Sequence, residues 1–541
     1  MGLWSWAASV GANRAPAWRG WSISTTVIVT TTMSSTTTMC VECVAENHHP
    51  LFNFPRVYRA YLACRRTKRN KPGALAFERN YEENLMALVE ELRERRYQPS
   101  TSICFYTERP KPREIFAAAF RDSIVHHLVY ESLLPVWEPV FIHHSYACRP
   151  NKGTHAAAKA LQKFLRQVTA NGTRPAHFLK MDMENFFMTI DRRKLFEMLA
   201  ARCHDPDLLW LLHVIVFHDP TKDYELQDRD NLRHALPPHK SLFHAKPFCG
   251  LPIGNLTSQL FANVYLNELD QFIKHVLKCR FYMRYVDDIV LLDALLEKLR
   301  AWQPLISNFV AERLAIAINE RATRLAPVAG GVDFAGFIVR HDYMLVRRRV
   351  IGNLKARLRR ARRQLVCYSS QYTAFRFHQE TLAQILATVN SYLGHFKHAQ
   401  SRRIVKKIWQ KYSFIRRFFK LSSHKLTRLD QPLRRLRTLR QQVQWVHHQF
   451  KDHLCLIEIG CYFEAFDAHA KRLAQSAGLR LQKDWRGFAY GCGFPRRLLM
   501  KVLAELKRQK IPAVIVRETG RELYKTKERL PELILEYPEN P

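Results

Sequence analysis

Acidic residues are scarce in this chain: 48 Asp and Glu face 85 Lys and Arg, a formal net charge of +37 over 541 residues. So large an excess of one sign fits a polyanion partner, because every phosphate neutralised by Lys or Arg releases condensed counterions. Also missing is an uninterrupted apolar run of the ~20 residues that a membrane-spanning helix needs. That excludes a helical span, predicts no membrane partner, and sets nucleic acid ahead of a basic membrane-surface role. Twelve cysteines are present, but without a disulfide-like framework, and a chain this long needs no covalent staples to bury a core. They read as reduced thiols of an intracellular, cytoplasmic protein. No internal repeat is found. What remains is an ordinary globular balance, 47% hydrophobic and 25% charged.

Residues 1–49 stand apart as a low-complexity tail rich in Ser, Thr, Ala and Trp, with Arg14 and Arg19 as its only Lys or Arg and Glu42 as its first acid. Three readings stay open: a disordered tail, a transit peptide, and an over-extended start with Met33 or Met39 as the true beginning. Cys40, Cys43, His48 and His49 offer zinc-type ligands, but no second well-spaced pair follows, and incidental thiols are the simpler reading.

From residue 50 the chain becomes basic and helical. FERNYEENLMALVEELRERRY (77–97) carries apolar residues at helical spacing and stops before Pro99. TSICFYTERPKPREIFAAAFRD has strand character on both sides of a turn in which Pro110 and Pro112 bracket Lys111. DSIVHHLVYESLLPVWEPVF reads as helix, with His126 and His127 as ordinary helix residues. Residues 346–440 are dominated by Arg, Lys, Leu and aromatics, a density that favours phosphate contact for a fraction of the charges. After residue 451 the pattern turns to alternating strand and helix, a small α/β unit.

The stretch FYMRYVDDIVLL (281–292) sets two carboxylates, Asp287 and Asp288, between segments rich in β-branched and aromatic residues. An Asp-rich turn is one explanation; a metal site at the tip of a hairpin is the other. Two further segments bear on the choice. In LKMDMENFFMTID, Asp182 ends an apolar strand and the chain turns through Phe186 and Phe187. In CGLPIGNLTSQLFANVYLNELD, a Gly-containing turn leads into an amphipathic helix. A strand-end Asp together with a hairpin Asp is what a two-metal phosphoryl-transfer site requires, with Mg²⁺ using few protein carboxylates and hard oxygen ligands.

In order and wording these segments resemble a reverse transcriptase over about residues 50–400. The resemblance includes PKPREIFAAAFRD, SYACRPNKGTHAA, the Asp182 segment, the Gly-containing turn, YVDD, GVDFAGF (331–337) and, further on, SYLGHFKHA (391–399). It implies an α+β, fingers-palm-thumb polymerase with an antiparallel palm sheet. Fingers and palm would span 50–345, a basic helical thumb and linker 346–450, and the small α/β domain 451–541. It further implies that Asp182 and Asp287 bind two Mg²⁺ ions, Mn²⁺ being the alternative, with Asp288 as a supporting carboxylate. Phe187 would exclude a ribose 2′-hydroxyl, Lys111, Arg113 and Arg121 would grip the incoming triphosphate or template, and Gly254 would let the backbone approach the nascent base pair. The implied partners are template RNA, the cDNA/RNA hybrid, deoxynucleoside triphosphates and an accessory protein.

Ile253-Gly254-Asn255-Leu256-Thr257-Ser258-Gln259 departs from the Gln-Gly-x-x-x-Ser-Pro common in that family. The Ser258-Gln259 variant resembles the enzymes of diversity-generating retroelements, which copy RNA with frequent errors at adenines. Ile253 in place of an amide removes a polar contact, and selectivity resting on such a contact would fall. A second departure is Ala322, at a place where the family usually carries a lysine. Arg321 and Arg324 nearby are poor proton donors, so slow turnover is expected.

IGCYFEAFDAHAKRLAQSAGLRL, with GFPRRLLMKVLAEL and AVIVRE, resembles the N-terminal mismatch-recognition domain of the repair protein MutS, to about residue 518. The resemblance implies that Tyr462 stacks on a base and Glu464 hydrogen-bonds to it. The bland reading makes Tyr462 and Phe463 core aromatics of a docking domain. Two alternatives stand beside an error-prone reverse transcriptase: a defence-associated or group II intron-like enzyme, and an RNA-binding maturase or scaffold. No HNH-type nuclease pattern is found, which weakens the mobile-intron version. The three carboxylates count against the scaffold.

Overall fold

The computed structural model describes residues 49–108, 112–227, 236–432, 436–523 and 526–537. The tail with Cys40, Cys43 and His48, and the turn residues Pro110 and Lys111, lie outside the described residues. The chain divides into two compact units, the first running to Ala335 with Val339–Asp342, the second comprising Gly336–Ile338 and Tyr343 onward.

The first unit opens on helix α1 (Phe54–Lys68), capped by the Asn53 side chain, which accepts from the backbone N–H of Arg56. His49, one of the zinc-type ligands of the tail, instead accepts from the Phe52 backbone N–H at 2.8 Å and meets Asp207 at 3.1 Å. Helix α2 (Tyr81–Arg93) buries Leu85, Leu88, Val89 and Leu92, one turn apart on one face. Strands β1 (Ser102–Thr107) and β2 (Arg113–Ala117) pair antiparallel. Helix α3 (Phe120–Trp137) follows and buries Phe120, Ile124, Val125, Leu128, Val129, Leu133 and Trp137 together with the polar Asp122 and Ser123.

A four-stranded antiparallel sheet forms the centre. Helix α4 (Thr154–Val168) leads into β3 (His177–Met181). Strand β4 (Tyr224–Leu226) then adds to β1 in parallel. Helix α5 (Leu256–Gln271) precedes the hairpin of β5 (Phe281–Tyr285) and β6 (Asp288–Asp293), and helix α6 (Leu296–Leu314) leads to β7 (Arg324–Pro327). The order β5-β6-β3-β7 makes β6 and β3 the inner strands. The run Ile289–Leu292 is fully buried, since helices α4 and α6 pack on the sheet; this explains an apolar run in place of alternation.

In the second unit α7 (Arg348–Leu365) buries Val350, Leu354, Leu358, Ala361 and Leu365. Arg348, Arg349, Arg357, Arg359, Arg360, Arg362 and Arg363 are left exposed. Strands β8 (Val366–Tyr368) and β9 (Thr373–Arg376) interrupt the helical stretch before α8 (Gln379–Phe396) and α9 (Arg402–Lys411). A short hairpin, β10 (Phe419–Ser422) with β11 (Lys425–Arg428), precedes α10 (Leu439–Gln449). The C-terminal part supplies β12 (Leu454–Ile459), β13 (Tyr462–Phe466), α11 (Ala468–Ala477), β14 (Gln482–Trp485), β15 (Phe488–Pro495), α12 (Leu499–Arg508), β16 (Ala513–Leu523) and β17 (Thr526–Glu536). The sheet order is β8-β9-β17-β16-β12-β13-β15-β14. Strand β9 pairs with β17 from Thr373↔Glu536 to Arg376↔Leu533, so residues near 370 complete a sheet whose other strands lie beyond 453. In GFPRRLLMKVLAELKRQK, which reads as helix, residues 493–495 are instead the end of β15, and the helix starts only at Leu499.

Candidate active site

The inner strands of the first unit set the site. Strand β3 pairs antiparallel with β6, Met181 opposite Ile289, and continuing that register by one step brings Asp182 level with Asp288. The hairpin loop between β5 and β6 has two residues, Val286 and Asp287, since Tyr285 pairs with Asp288. Val286 takes φ 57°, a conformation that glycine usually supplies at the first position of a type II′ loop. For a β-branched residue this is strained backbone, of order 1–3 kcal/mol. Arg284 holds it in place, donating from Nη1 to the Val286 carbonyl at 3.0 Å.

After Asp182 the chain reverses through Asn185 (φ 47°, ψ 37°), a residue type that tolerates the left-handed region. Phe186 and Phe187 then open a single helical turn with their rings 5.3 Å apart. The Asp182 carbonyl accepts from the Asn319 backbone N–H at 2.8 Å. The outcome is an open cleft of about 280 Å³ whose walls include Arg113, Asp182, Phe187, His239, Lys240, Ile253, Asp287 and Asn319.

Electrostatics within the cleft are unfavourable to three bare carboxylates. Burial, then the fields of Asp182 and Asp288, push Asp287 up to about 7, and Arg113 acts in the opposite sense. Burial also lowers Arg113 from its usual value, against the pull of Asp287. Two carboxylates crowded into an oxygen-lined cleft fit a hard divalent cation, whose charge would reverse that penalty.

Of the residues singled out from sequence, Asp182, Asp287, Arg113, Phe187 and Ile253 line this one cleft. Asp288 does something else, meeting Lys180 Nζ at 3.1 Å. Arg121 turns to Glu91, with Asp122 at 3.9 Å, and lies over the Tyr97 ring. It is part of a helix-packing network and not of the cleft wall. Gly254 (φ 139°) brings its backbone against β2: a Cβ there would meet the Phe116 carbonyl oxygen at 2.6 Å. The adjoining Ile253 carbonyl accepts from Phe116 N–H at 2.9 Å. The close approach that glycine allows is therefore to a strand of the protein itself. Ser258 is buried and borders a separate small cavity, and Gln259 follows it on α5. Ala322 closes a short 3₁₀ turn, and neither Arg321 nor Arg324 lines the cleft; Arg324 lies over the Phe178 ring.

His239, Lys240, Lys180 and Asn319 were not singled out. His239 and Lys240 sit in a short 3₁₀ turn, Pro238–Lys240, with no periodic signal, and only the fold brings them to the cleft. The basic pair beside a candidate triphosphate site was legible at most as charge.

In the second unit Tyr462 is 49% exposed, whereas Glu464 is buried. The Glu464 carboxylate accepts from Trp485 Nε1 at 2.8 Å and from Arg486 at 3.0 and 3.1 Å. Two residues apart on β13, the two side chains share a face of the strand; Tyr462, at the strand's first position, stays exposed, while Trp485 and Arg486 cover Glu464.

Residues 109–339 match the family described as reverse transcriptase (RNA-dependent DNA polymerase). Over 191 residues the chain is 27% identical to protein YkfC of Escherichia coli, covering 35% of this chain and 45% of that protein. It is 25% identical over 203 residues to the group II intron-encoded protein LtrA of Lactococcus lactis, 37% of this chain and 30% of LtrA. The chain thus spans less than half the length of these relatives. A solved structure of apo telomerase from Candida tropicalis, truncated of its C-terminal domain, overlaps 46% of this chain and 55% of its own at 12% identity and a TM-score of 0.33. No helix among the described residues is long and apolar enough to cross a membrane.

Proposed function

We propose that this chain, which carries a reverse transcriptase domain, is an RNA-directed DNA polymerase that copies a template RNA into cDNA with frequent errors at template adenines. The observation that carries the polymerase reading is the gathering of Asp182, Asp287, Arg113 and Phe187 in one cleft inside the matched segment. Asp182 and Asp287 would hold divalent ions, two Mg²⁺ on this reading. Bound there, the ions would supply the charge that activates the primer 3′-hydroxyl and stabilises the departing pyrophosphate. Arg113, with Lys240 and His239 on the same wall, would draw in the triphosphate. The Phe187 ring would exclude a 2′-hydroxyl and so favour deoxynucleotides.

Template handling rests on the second unit. The exposed arginines of α7 and the exposed Arg402, Arg403, Lys406, Lys407 and Lys411 of α9 supply a surface for phosphates. Ile253 supports the error-prone part of the reading, since it puts an apolar branched side chain on the cleft wall. The C-terminal sheet, with Tyr462 exposed, would serve as a nucleic-acid stacking surface. Glu464 would brace that surface through Arg486 and would not touch a base.

The likeness to LtrA favours a second reading, an intron-type reverse transcriptase. Mg²⁺-dependent primer extension on a mixed-sequence RNA, followed by cDNA sequencing, separates the two. Misincorporation concentrated opposite adenines, and reduced in Ile253→Gln, supports diversification. Accurate cDNA supports the intron-type reading, and no extension with RNA binding retained defeats both.

A further inference from the structure

Three side chains from separate elements of the second unit converge away from the cleft. His447 lies near the end of α10, Cys455 is in β12, and His469 is in the first turn of α11. Their ligand atoms lie within 4.8 Å of one another. The two imidazole rings are 3.9 Å apart, centre to centre. Cys455 is fully buried. Nε2 of His447 is buried and has no hydrogen-bond partner, which is uncommon for an imidazole nitrogen. Nδ1 of His469 faces Cys455, whose backbone N–H reaches it only at 3.4 Å.

We propose that His447, Cys455 and His469 form a zinc site, with a water completing four-coordination. The donor set is the reason: two imidazoles and a thiolate suit Zn²⁺, at about 2.0–2.1 Å for nitrogen and about 2.3 Å for sulfur. The cleft of Asp182 and Asp287, in contrast, offers hard oxygens. His469 Nδ1 would give up its long contact with the Cys455 backbone N–H, the unpartnered His447 nitrogen would give its lone pair to the metal, and the Cys455 thiol proton, now directed at the His453 carbonyl at 3.6 Å, would be released. The three side chains tighten by roughly 1 Å to meet these bond lengths. Asp467 and Arg472 are the charged groups whose fields reach the imidazoles, and Asp467 supplies negative charge beside the ion. Such a site would pin α10 and α11 to β12, tying the helix that leads into the C-terminal sheet to the sheet itself.

The test uses the full chain with Cys40→Ser and Cys43→Ser, which removes the competing thiolates of the tail. Metal is stripped with chelator and Co²⁺ is titrated in. The expected result is a thiolate-to-cobalt charge-transfer band that saturates at one equivalent, is displaced by Zn²⁺ and is lost in Cys455→Ser. Loss of zinc should also lower Tm in the parent. His447→Gln, at a half-buried position, provides a second variant if Cys455→Ser does not fold, and it should weaken Co²⁺ binding at least tenfold. Absence of a saturable band in the parent, or a band unchanged in both variants, overturns the proposal.

Discussion

Arg284 and Asp270 form a bidentate ion pair in which neither side chain is exposed, with Nε–Oδ1 at 2.9 Å and Nη2–Oδ2 at 2.6 Å. Tyr282 donates to the same carboxylate at 2.6 Å, and Arg284 also reaches Asn263 and the Val286 carbonyl. The pair therefore connects α5 to the loop that presents Asp287. Removing one partner of a buried ion pair strands the other charge and costs about 3–5 kcal/mol. Asp270→Asn should lose that much in urea unfolding, and Asp270→Leu with Arg284→Met should recover part of it. Because the strained Val286 depends on Arg284, the double variant should still extend primers more slowly than the parent.

Asp287→Asn should separate stability from catalysis. Folded, the carboxyl of Asp287 is raised to about 7 from an ordinary 3.8. Its charged form is therefore disfavoured in the fold, and above pH 7 the metal-free fold bears the full penalty. At pH 8 without divalent ions the variant should be more stable than the parent by roughly 1–3 kcal/mol. Primer extension should fall by at least about a thousandfold, while RNA binding by the arginine-rich helices is retained. A loss of RNA binding in step with extension would point to a folding defect.

Lys180 pairs with Asp288, whose field acts on Asp287. In Lys180→Gln the local field becomes more negative, so divalent cations should bind more tightly. The Mg²⁺ concentration for half-maximal extension should drop about three- to tenfold, less at high ionic strength. A titration of extension rate against Mg²⁺ at two salt concentrations reads this directly.

Acid should destabilise the first unit well above the carboxylate range. Burial lowers His126 to about 3 and His127 to about 4, and burial with neighbouring His143 lowers His144 to about 4, against an ordinary 6.5. Depressed histidines contribute stability that is present above pH 6.5 and lost as pH falls toward 4. For His126 alone, hydrogen-bonded to Thr257, the loss by pH 5 is roughly 2 kcal/mol. Thermal melts from pH 7.5 to 5 should show a falling Tm, with a shallower slope in His126→Gln.

Salt dependence should report the arginine face of α7. Replacing Arg359, Arg360 and Arg363 with Ala should weaken RNA binding uniformly across sequences. The slope of log K against log salt should shrink by about 0.7 for each arginine that contacts a single-stranded phosphate. Unchanged slopes would assign these side chains to solvent.

Sequence alone determined the local features. The order of strands and helices around Asp182 and Asp287 follows from runs of β-branched and apolar residues broken by turn formers. The basic character of α7 and α9 follows from composition. Both are properties of short stretches, and short-range periodicity records them. The tertiary structure decided the pairings. Composition and spacing do not separate Asp288 from Asp287 in YVDD; in the fold Asp288 meets Lys180. Gly254 read as room for a base pair until β2 was found against it. Glu464 read as an outward acid until Arg486, in the turn between β14 and β15, met it. Strands β8 and β9 lie within a basic helical stretch and join a sheet formed some 160 residues later. His447, Cys455 and His469 converge from two helices and a strand at spacings that match no ligand motif. In each case the deciding contact joins side chains on different elements, where local pattern carries no information about which partner a charge, a glycine or a thiol will meet.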